Sequence, residues 1–357
     1  VPLTIIIVLM SDLNFSCALP LKYQHIVMAH GGGGRMMQQL IDDIIRPIFK
    51  NPILNQQHDS AVVAINQGKL AITTDSYVIN PLFFSGGDIG KLAMCGTLND
   101  LAMSGAKPLY ITCGLIIEEG FAIESLKIIL QSMQHTAEQA GVYIVTGDTK
   151  VVDKGKGDGL YINTTGVGLV AENTTITADN IQVGDAIIIN SDLARHGIAV
   201  MLEREGIQFE NTIQSDCADV SGLVQQLLHE NIALHCMRDL TRGGLASGLI
   251  ELASSAKQHF NIQQSTLPIQ QAVNSACEIL GFDPLYIANE GCFCLFVPQS
   301  DSQKTLNTLQ KHPLGQQACI IGEVIAKDTK GRVTLETDMG IKRTLDLFSG
   351  EQLPRIC

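Results

Sequence analysis

Short apolar segments that end at an acidic residue recur in the first half of the chain, and this pattern constrains the fold most. Residues 70–72 lead to Asp75, and residues 143–145 lead to Asp148 and Lys150. Apolar runs of this length, bounded by Thr, Gly and Asp, are typical of buried strands followed by turns. We therefore expect strands whose ends carry carboxylates.

Two further acidic positions belong to the same set. Asp59 precedes the apolar residues 61–65, and Asn99 and Asp100 lie in the amphipathic stretch 89–104. A single aspartate usually caps a turn or a helix. Four aspartates at strand ends and on one helix favour a magnesium–nucleotide site. Hard cations take oxygen ligands, and a lysine can meet a phosphate as a point charge. The predicted metal ligands are Asp59, Asp75, Asp100 and Asp148.

A run of four glycines precedes a stretch, residues 36–49, in which apolar residues recur at helical spacing. Glycines let backbone N–H groups approach an anion closely, and the start of a helix adds a favourable dipole. The loop is neither a Walker loop nor a dinucleotide fingerprint, and a flexible linker is the alternative interpretation. The predicted nucleotide-binding residues are Gly31, Gly32, Gly33, Gly34, Asp75, Asn99, Asp100, Asp148 and Lys150.

Composition limits the class of protein. The chain has 357 residues, of which 45% are hydrophobic, so it can form two or three domains with substantial cores. Its net charge of -12 argues against binding to nucleic acid. Ten cysteines show no CxxC pair, which favours reduced, mostly buried thiols in a cytoplasmic protein. Cys292 and Cys294 lie in an apolar run, so core packing is favoured over zinc.

The beginning of the sequence carries no predicted function. Residues 1–10 are apolar but far shorter than the roughly 20 residues that span a bilayer, and no Lys or Arg precedes them as in a signal peptide. We expect no membrane association. Met10 is a candidate for the working start.

The last four residues are Pro354, Arg355, Ile356 and Cys357. A cysteine at the end of a chain can enter a pocket or be offered to another protein. Pro354 prevents helix continuation and favours an extended approach. Most chain ends are frayed, which is the alternative interpretation. Prenylation is excluded, because its motif places the cysteine four residues from the end.

The ordered motifs of the chain resemble those of the HypE family, the carbamoyl dehydratases of NiFe hydrogenase maturation. The similarity extends from His30 to Cys357 and rests on HGGGG, HDSAVV, TTDSYV, GTLNDLAMSGAKP, GDTKVV, MRDLTRGGLA, ANEG and the terminal PRIC. The resemblance implies an α/β (α+β) protein with the two-domain fold of aminoimidazole ribonucleotide synthetase. It implies an N-terminal extension (1–28), an ATP-binding and dimerisation domain (29–171), a second α/β domain (183–347) and a flexible C-terminal tail (348–357).

The same resemblance implies a reaction at Cys357. The carbamoyltransferase HypF would carbamoylate the Cys357 sulfur, and ATP-dependent loss of water would turn this group into a thiocyanate, with Mg²⁺ and Lys150 offsetting charge. Glu290 of the ANEG motif matches the family position of the base, with His58, His196 and His235 as alternatives. The cyano group would pass to iron held by HypC and HypD. A homodimer that pairs across its sheets is also implied.

Two other classes of function stay open on the sequence. Another ATP-dependent synthetase, of the selenophosphate or aminoimidazole ribonucleotide type, would need a reactive group near the glycine loop, where no cysteine lies. A non-catalytic nucleotide-binding scaffold would not need the complete set of acidic residues. One departure concerns His58, which stands where related sequences commonly have a second acid, so Asp59 would hold that metal contact alone. Arg238 and Arg242 are predicted as structural ion-pair partners, slightly ahead of phosphate contacts.

Overall fold

The structure is a computed structural model, and it describes residues 34–40, 42, 61–65, 68–207, 212–348, 353 and 355–357. The predicted nucleotide ligands Gly31, Gly32 and Gly33, the predicted metal ligand Asp59 and the alternative base His58 lie outside these ranges.

Two sheets dominate the described part of the chain. The strands of the first half are β1 (Ala61–Ile65), β2 (Gly68–Tyr77), β3 (Phe83–Phe84), β4 (Gly87–Asp88), β5 (Lys107–Glu118), β6 (Tyr143–Val152) and β7 (Leu160–Val170). Five of them form a sheet in the order β1-β2-β7-β5-β6, and β3 and β4 form a small separate pair. β7 is antiparallel to β2 and β5, whereas β6 is parallel to β5. The carboxyl ends of β2, β5 and β6 therefore lie at the same end of the sheet.

The second sheet forms in the second half of the chain. Its strands are β8 (Asp185–Ile189), β9 (Cys236–Asp239), β10 (Gln258–Gln263), β11 (Phe293–Pro298), β12 (Cys319–Lys327), β13 (Arg332–Glu336) and β14 (Lys342–Thr344). They follow the order β14-β13-β10-β12-β8-β11-β9. β8 and β11 are buried along almost their whole length, as expected of central strands covered on both faces. Cys292 and Cys294 are buried here, in agreement with predicted core packing.

Helices cover these sheets. They are α1 (Arg35–Leu40), α2 (Ile89–Met103), α3 (Ile123–Ala140), α4 (Arg195–Glu205), α5 (Ser221–His229), α6 (Gly244–Ala256), α7 (Gln271–Leu280) and α8 (Gln299–Gln310). The predicted helix after the glycine run is described only over α1. The apolar residues 186–189 lie in β8, and residues 196–205 lie in α4.

α2 is the central helix of the first half. Asp88 caps its start, since the carboxylate accepts hydrogen bonds from Gly90 N at 2.7 Å and Lys91 N at 3.1 Å. Nearly every residue of α2 is buried, which is typical of a helix with neighbours on all sides. It packs on β2, β5 and β7 and also contacts α5 and β9. α2 therefore joins the two halves of the molecule.

Within the described residues, none of the helices combines the length and the apolar character that crossing a bilayer requires.

Close packing between α2 and β2 gives a first prediction. A Cβ atom added at Gly96 would lie 2.3 Å from the hydroxyl oxygen of the buried Tyr77. Because this core cannot easily expand, we expect Gly96→Ala to lower the free energy of unfolding by about 1–3 kcal/mol, measured by urea denaturation.

A double variant tests the cause. In Tyr77→Phe the clashing oxygen is absent, and the nearest ring atoms lie 3.2 Å from the added Cβ. We expect Gly96→Ala to cost clearly less in that background. Equal costs in the two backgrounds would contradict the proposed clash.

Candidate active site

The C-terminal tail lies in a docked position at the end of β2. Val78 N donates to Cys357 O at 3.1 Å, and Asn80 N donates to Arg355 O at 3.3 Å, as in an added strand. Ile356 is buried and packs into the main core. The tail therefore contributes to the packed interior of the molecule.

His196 contacts the tail from α4. Its ring is fully buried, with Nε2 at 2.8 Å from Ile356 O and Nδ1 at 2.8 Å from Ser215 Oγ. Burial lowers the pKa of His196 to about 4. The ring is therefore neutral near pH 7, and since a carbonyl oxygen only accepts, Nε2 carries the proton and Ser215 donates to Nδ1. His196, an alternative base on the sequence, thus binds the tail backbone.

Two arginines complete the docking contacts. Arg204 donates through Nη2 to Arg355 O at 2.8 Å and through Nε to Asn80 O at 2.8 Å. Arg355 donates through Nε to Val78 O at 3.0 Å and forms an ion pair with Asp158. The loop that carries Asp158 follows β6, so the segment after β2, the loop after β6 and α4 together hold the tail.

Cys357 reaches a charged pocket. The guanidinium of Arg242, which forms an ion pair with Asp75 at 2.9 Å, lies beside its sulfur. Burial raises the pKa of the Cys357 thiol to about 12; Arg242 opposes this shift, while Glu290 and Asp75 add to it. The docked thiol is therefore protonated at neutral pH.

Glu290 is the buried carboxyl of this pocket. Only 2% of the residue is exposed, and its Oε1 has no hydrogen-bond partner in the described part of the chain. Burial raises its pKa well above the ordinary value, and the charges of Cys217, Asp239 and Asp216 add to the shift. A buried carboxyl with an unpaired oxygen and a raised pKa has the properties of a general base.

The loop that carries Glu290 is fixed by its backbone. The carboxylate of Asp216 accepts from Glu290 N at 3.1 Å and from Gly291 N at 3.0 Å. The side chain of Asn289 accepts from Ala194 N and donates to Leu240 O and Ile287 O. A Cβ at Gly291 would lie 2.1 Å from Asp216 O, so the contact requires glycine. The loop is thereby held against α4 and β9.

Asn99 connects this loop to the first half of the molecule. Its amide donates to Ala218 O at 3.0 Å and Glu290 O at 3.2 Å and accepts from Val220 N at 2.8 Å. The side chain is buried, so the structure gives it a role in holding the two halves together. Its predicted role in nucleotide binding stays a prediction.

Asp75 and Asp100 share one neighbourhood. Burial raises the pKa of Tyr77, and the charges of Asp75, Asp100 and Glu290 raise it further. Thr73 Oγ1 donates to Asp100 Oδ2 at 2.7 Å. Two predicted ligands and the predicted base therefore lie around the end of β2.

Asp148 and Lys150 lie on the other face of the same sheet end. They form an exposed ion pair at 2.5 Å. Asp148 pairs with Gly114, which aligns across β7 with Ser76 of β2. Asp148 is therefore three strands away from Ser76 across the sheet, which is roughly 14 Å at the usual distance between neighbouring strands. The contacts described within this single chain do not join the pair to Cys357.

Other predicted residues have structural partners. Gly34 is buried at the start of α1, and its carbonyl accepts from Gln38 N at 3.1 Å. His235 contacts Asp185 at 2.7 Å, in agreement with a packed histidine. Arg238 forms an ion pair with Glu251 at 2.9 Å. Across the ranges that the structure covers, no three His, Cys, Asp or Glu side chains gather as a metal site, so the predicted metal set stays a prediction.

The sequence did not indicate the residues that hold the pocket together. Arg204 and Asp216 bind backbone atoms, and Ser215 binds the His196 ring; only the fold brings these partners together. Arg242 was predicted as an ion-pair partner, which is confirmed, but its contact with the Cys357 sulfur depends on where the tail docks.

Comparison with known proteins defines the class. Residues 57–170 match the family described as AIR synthase related protein, N-terminal domain, and residues 182–334 match AIR synthase related protein, C-terminal domain. The chain therefore belongs to the AIR synthase related family, and the predicted fold is confirmed. The thiamine monophosphate kinase of Aquifex aeolicus shares this fold, with a TM-score of 0.63 at 16% identity.

Within that class the chain belongs to the HypE family. It is 44% identical over 339 residues to the carbamoyl dehydratase HypE of Azotobacter vinelandii, covering 95% of this chain and 99% of that protein. It is also 44% identical over 338 residues to carbamoyl dehydratase HypE of Escherichia coli K12, covering 93% of this chain and 99% of that protein. The predicted family and enzyme class, a carbamoyl dehydratase, are confirmed, and the two other classes of function are not favoured.

Solved structures of HypE proteins are also similar to this chain. A HypE–HypF complex contains a chain with a TM-score of 0.82 and 42% identity, covering 87% of this chain and 99% of that one. The hydrogenase maturation protein HypE in complex with ATP has a TM-score of 0.78 and 40% identity, covering 93% of this chain and 100% of that one.

The buried histidine gives a second prediction. Because its folded pKa of about 4 lies below the value of about 6.5 in an unfolded chain, the unfolded state binds the proton first as pH falls. The contribution to stability is complete above about pH 6.5, and up to about 3 kcal/mol is lost between pH 6.5 and 4. We expect urea denaturation of His196→Gln to show a smaller loss over this range than wild type.

The control is His229→Gln, which changes an exposed histidine of α5. It should follow the wild-type profile. If His196→Gln and wild type lose the same free energy of unfolding over this pH range, the shift assigned to His196 is wrong.

Proposed function

We propose that this chain removes water from a carbamoyl group carried on the Cys357 sulfur, in an ATP-dependent reaction that forms a thiocyanate. One observation carries the proposal: the docked Cys357 lies in a pocket with Glu290, Arg242 and Asp75. A carbamoyl group on this sulfur would enter the same pocket. Its nitrogen would give up its protons and its oxygen would leave, so that the C–O bond breaks and a C≡N bond forms.

Glu290 is the proposed base. The free Oε1 oxygen can accept a proton from the carbamoyl nitrogen, and the hydrogen bonds that Glu290 N and Gly291 N donate to Asp216 fix the backbone that carries it. The raised pKa of Glu290 matches that of a base that must hold a proton between steps. Arg242 can donate to the substrate and offset negative charge that develops on it.

ATP supplies the phosphoryl group that turns the carbamoyl oxygen into a good leaving group, and Mg²⁺ offsets its charge. The carboxylates of Asp75 and Asp100 are the oxygen donors that Mg²⁺ prefers; both lie near Tyr77 at the end of β2, and Asp75 also lies near Cys357. Lys150 fits the phosphates of the nucleotide, because its ammonium can meet them as a point charge, and Asp148 is a further proposed ligand of the Mg²⁺ that accompanies them. Gly31–Gly34 and Asp59 complete the proposed nucleotide and metal ligands.

The proposed partners follow from the chemistry of the tail. The docked thiol is protonated and partly buried, so another protein must reach it in a released position. We propose HypF as the carbamoyl donor, supported by the related HypE–HypF complex. A HypC–HypD iron scaffold is the proposed acceptor of the cyano group. The cysteines that the structure describes are free thiols, which supports a cytoplasmic location.

A second copy of the chain is proposed to cover the exposed face of the first sheet. One row of residues across β2, β7, β5 and β6 is apolar. Three of its members are largely exposed, by 40%, 48% and 74%. The row consists of Ile72, Val167, Tyr110 and Tyr143. A homodimer across this face would also bring a second chain beside Asp148 and Lys150.

A variant of the base provides the third prediction. We expect Glu290→Gln to accept the carbamoyl group from HypF but to lose water about 10²–10⁴-fold more slowly than wild type. The measurement is the mass of the C-terminal peptide over time with HypF, carbamoyl phosphate, ATP and Mg²⁺. Wild type should gain one carbamoyl group and then lose one water. The wild-type rate should rise with pH, because the raised pKa of Glu290 keeps the base protonated at lower pH.

Two controls accompany this measurement. Glu278→Gln, an exposed change on α7, should behave as wild type. Cys357→Ala should gain no mass. A wild-type tail that stays unmodified beside active HypF would refute the proposed reaction, and full activity of Glu290→Gln would refute the proposed base.

The dimer provides the fourth prediction. A charge in the middle of the apolar row should prevent association, because it would be buried without a partner. We expect Tyr110→Glu to have half the wild-type mass by light scattering. Ile279→Glu, which changes another exposed apolar residue on α7, should keep the wild-type mass. A monomeric wild type would refute the proposed dimer.

A further inference from the structure

We propose that His196 and Arg204, both on α4, form a latch that holds the C-terminal tail in its docked position and sets how often Cys357 is released. The inference rests on the proposed function, because docking and release of the tail matter only if Cys357 is modified outside its pocket and reacts inside it. The two residues are positioning residues, since neither contacts the sulfur in the described structure.

Both residues bind main-chain oxygens of the tail. His196 donates from Nε2 to Ile356 O at 2.8 Å, and Arg204 donates from Nη2 to Arg355 O at 2.8 Å. Contacts to the backbone fix the position of the tail and do not depend on what group the Cys357 sulfur carries. The same latch can therefore hold the free, carbamoylated and cyanated tail.

The His196 contact is the stronger part of the latch. Its ring is fully buried, and Ser215 occupies Nδ1, so the proton on Nε2 has Ile356 O as its acceptor. Ser215 is itself fixed, because its Oγ accepts from Cys217 N at 3.0 Å. When the tail leaves, a buried donor loses its partner, which is costly. Arg204 keeps its bond to Asn80 O after release, so its contribution is smaller.

The backbone of the tail opposes the latch. Arg355 has a φ of 53°, in the left-handed region that residues other than glycine disfavour. Release of the tail relieves this conformation. A docked state that is held by a few hydrogen bonds against backbone strain can be shifted by the loss of one of them.

The test compares two substitutions of the same residue. Gln can place its amide near the position of Nε2 and still donate to Ile356 O, whereas Asn is shorter and reaches only toward Ser215. The measurement is the rate at which N-ethylmaleimide alkylates Cys357, followed by peptide mass. The docked thiol reacts slowly because its pKa is about 12, so the rate reports the released fraction. We expect His196→Asn to react about tenfold faster than wild type and His196→Gln to stay close to wild type.

Arg204→Ala gives an independent arm, with an expected increase of about threefold. Its control is Arg332→Ala, which removes an exposed arginine of β13 in the second sheet that pairs with Asp328. The partly buried Cys319 serves as an internal standard, and its alkylation should be unchanged in every variant. If Cys319 also reacts faster in His196→Asn, that substitution has loosened the fold, and the test then rests on Arg204→Ala. If Cys357 reacts at the wild-type rate in Arg204→Ala, and in His196→Asn where its fold is intact, the proposed latch is wrong.

Turnover separates the latch from the proposed function. With limiting HypF, the variants that release the tail should be carbamoylated faster by the same factors, while loss of water in a single turnover becomes slower. If Cys357 alkylation responds as expected but the wild-type tail is never carbamoylated or dehydrated, the latch stands and the proposed function fails. If wild type is dehydrated but no variant changes either rate, the latch fails alone.

Discussion

The buried carboxylate of Asp216 fixes the loop on which the site depends. It accepts hydrogen bonds from the backbone of Glu290 and Gly291, and burial raises its pKa even though both bonds oppose the shift. Asn99 reaches the same loop from α2, through Glu290 O. The side chain of Glu290 can therefore stay buried with an unpaired oxygen, because its backbone is held from both halves of the molecule. An unsatisfied buried group of this kind persists only where its surroundings are rigid.

The tail has the opposite character. Its backbone joins the end of β2 by two hydrogen bonds, and the left-handed Arg355 makes the docked form less favourable than it would otherwise be. The rigid pocket and the releasable tail are separate parts of the chain, and each meets a different requirement of the proposed reaction. The pocket must exclude water from the reacting group, and the tail must deliver that group and carry it away.

The sequence predicted the strands and helices better than the contacts between them. β2, β8 and α4 coincide with apolar patterns in the sequence, because burial determines those patterns directly, although Asp75 lies inside β2 and not in a turn after it. The ANEG loop and the terminal cysteine were identified through resemblance to a family. That Glu290 and Cys357 share a pocket depends on contacts far apart in the chain, which no local pattern encodes. His196 is an example: it was a candidate base, but the fold places its ring between the Ser215 hydroxyl and the backbone of the docked tail.

The residues that we propose to bind the nucleotide lie on both faces of the first sheet. Asp75 points toward the core side of β2, near Cys357, whereas Asp148 and Lys150 lie on the exposed face. Alternate residues of a strand point to opposite faces, so strand-end position alone could not distinguish the two groups. A nucleotide that contacts both groups must pass around the carboxyl end of the sheet. The second chain that we propose on the exposed face would then enclose its phosphates, which makes association and catalysis parts of one requirement.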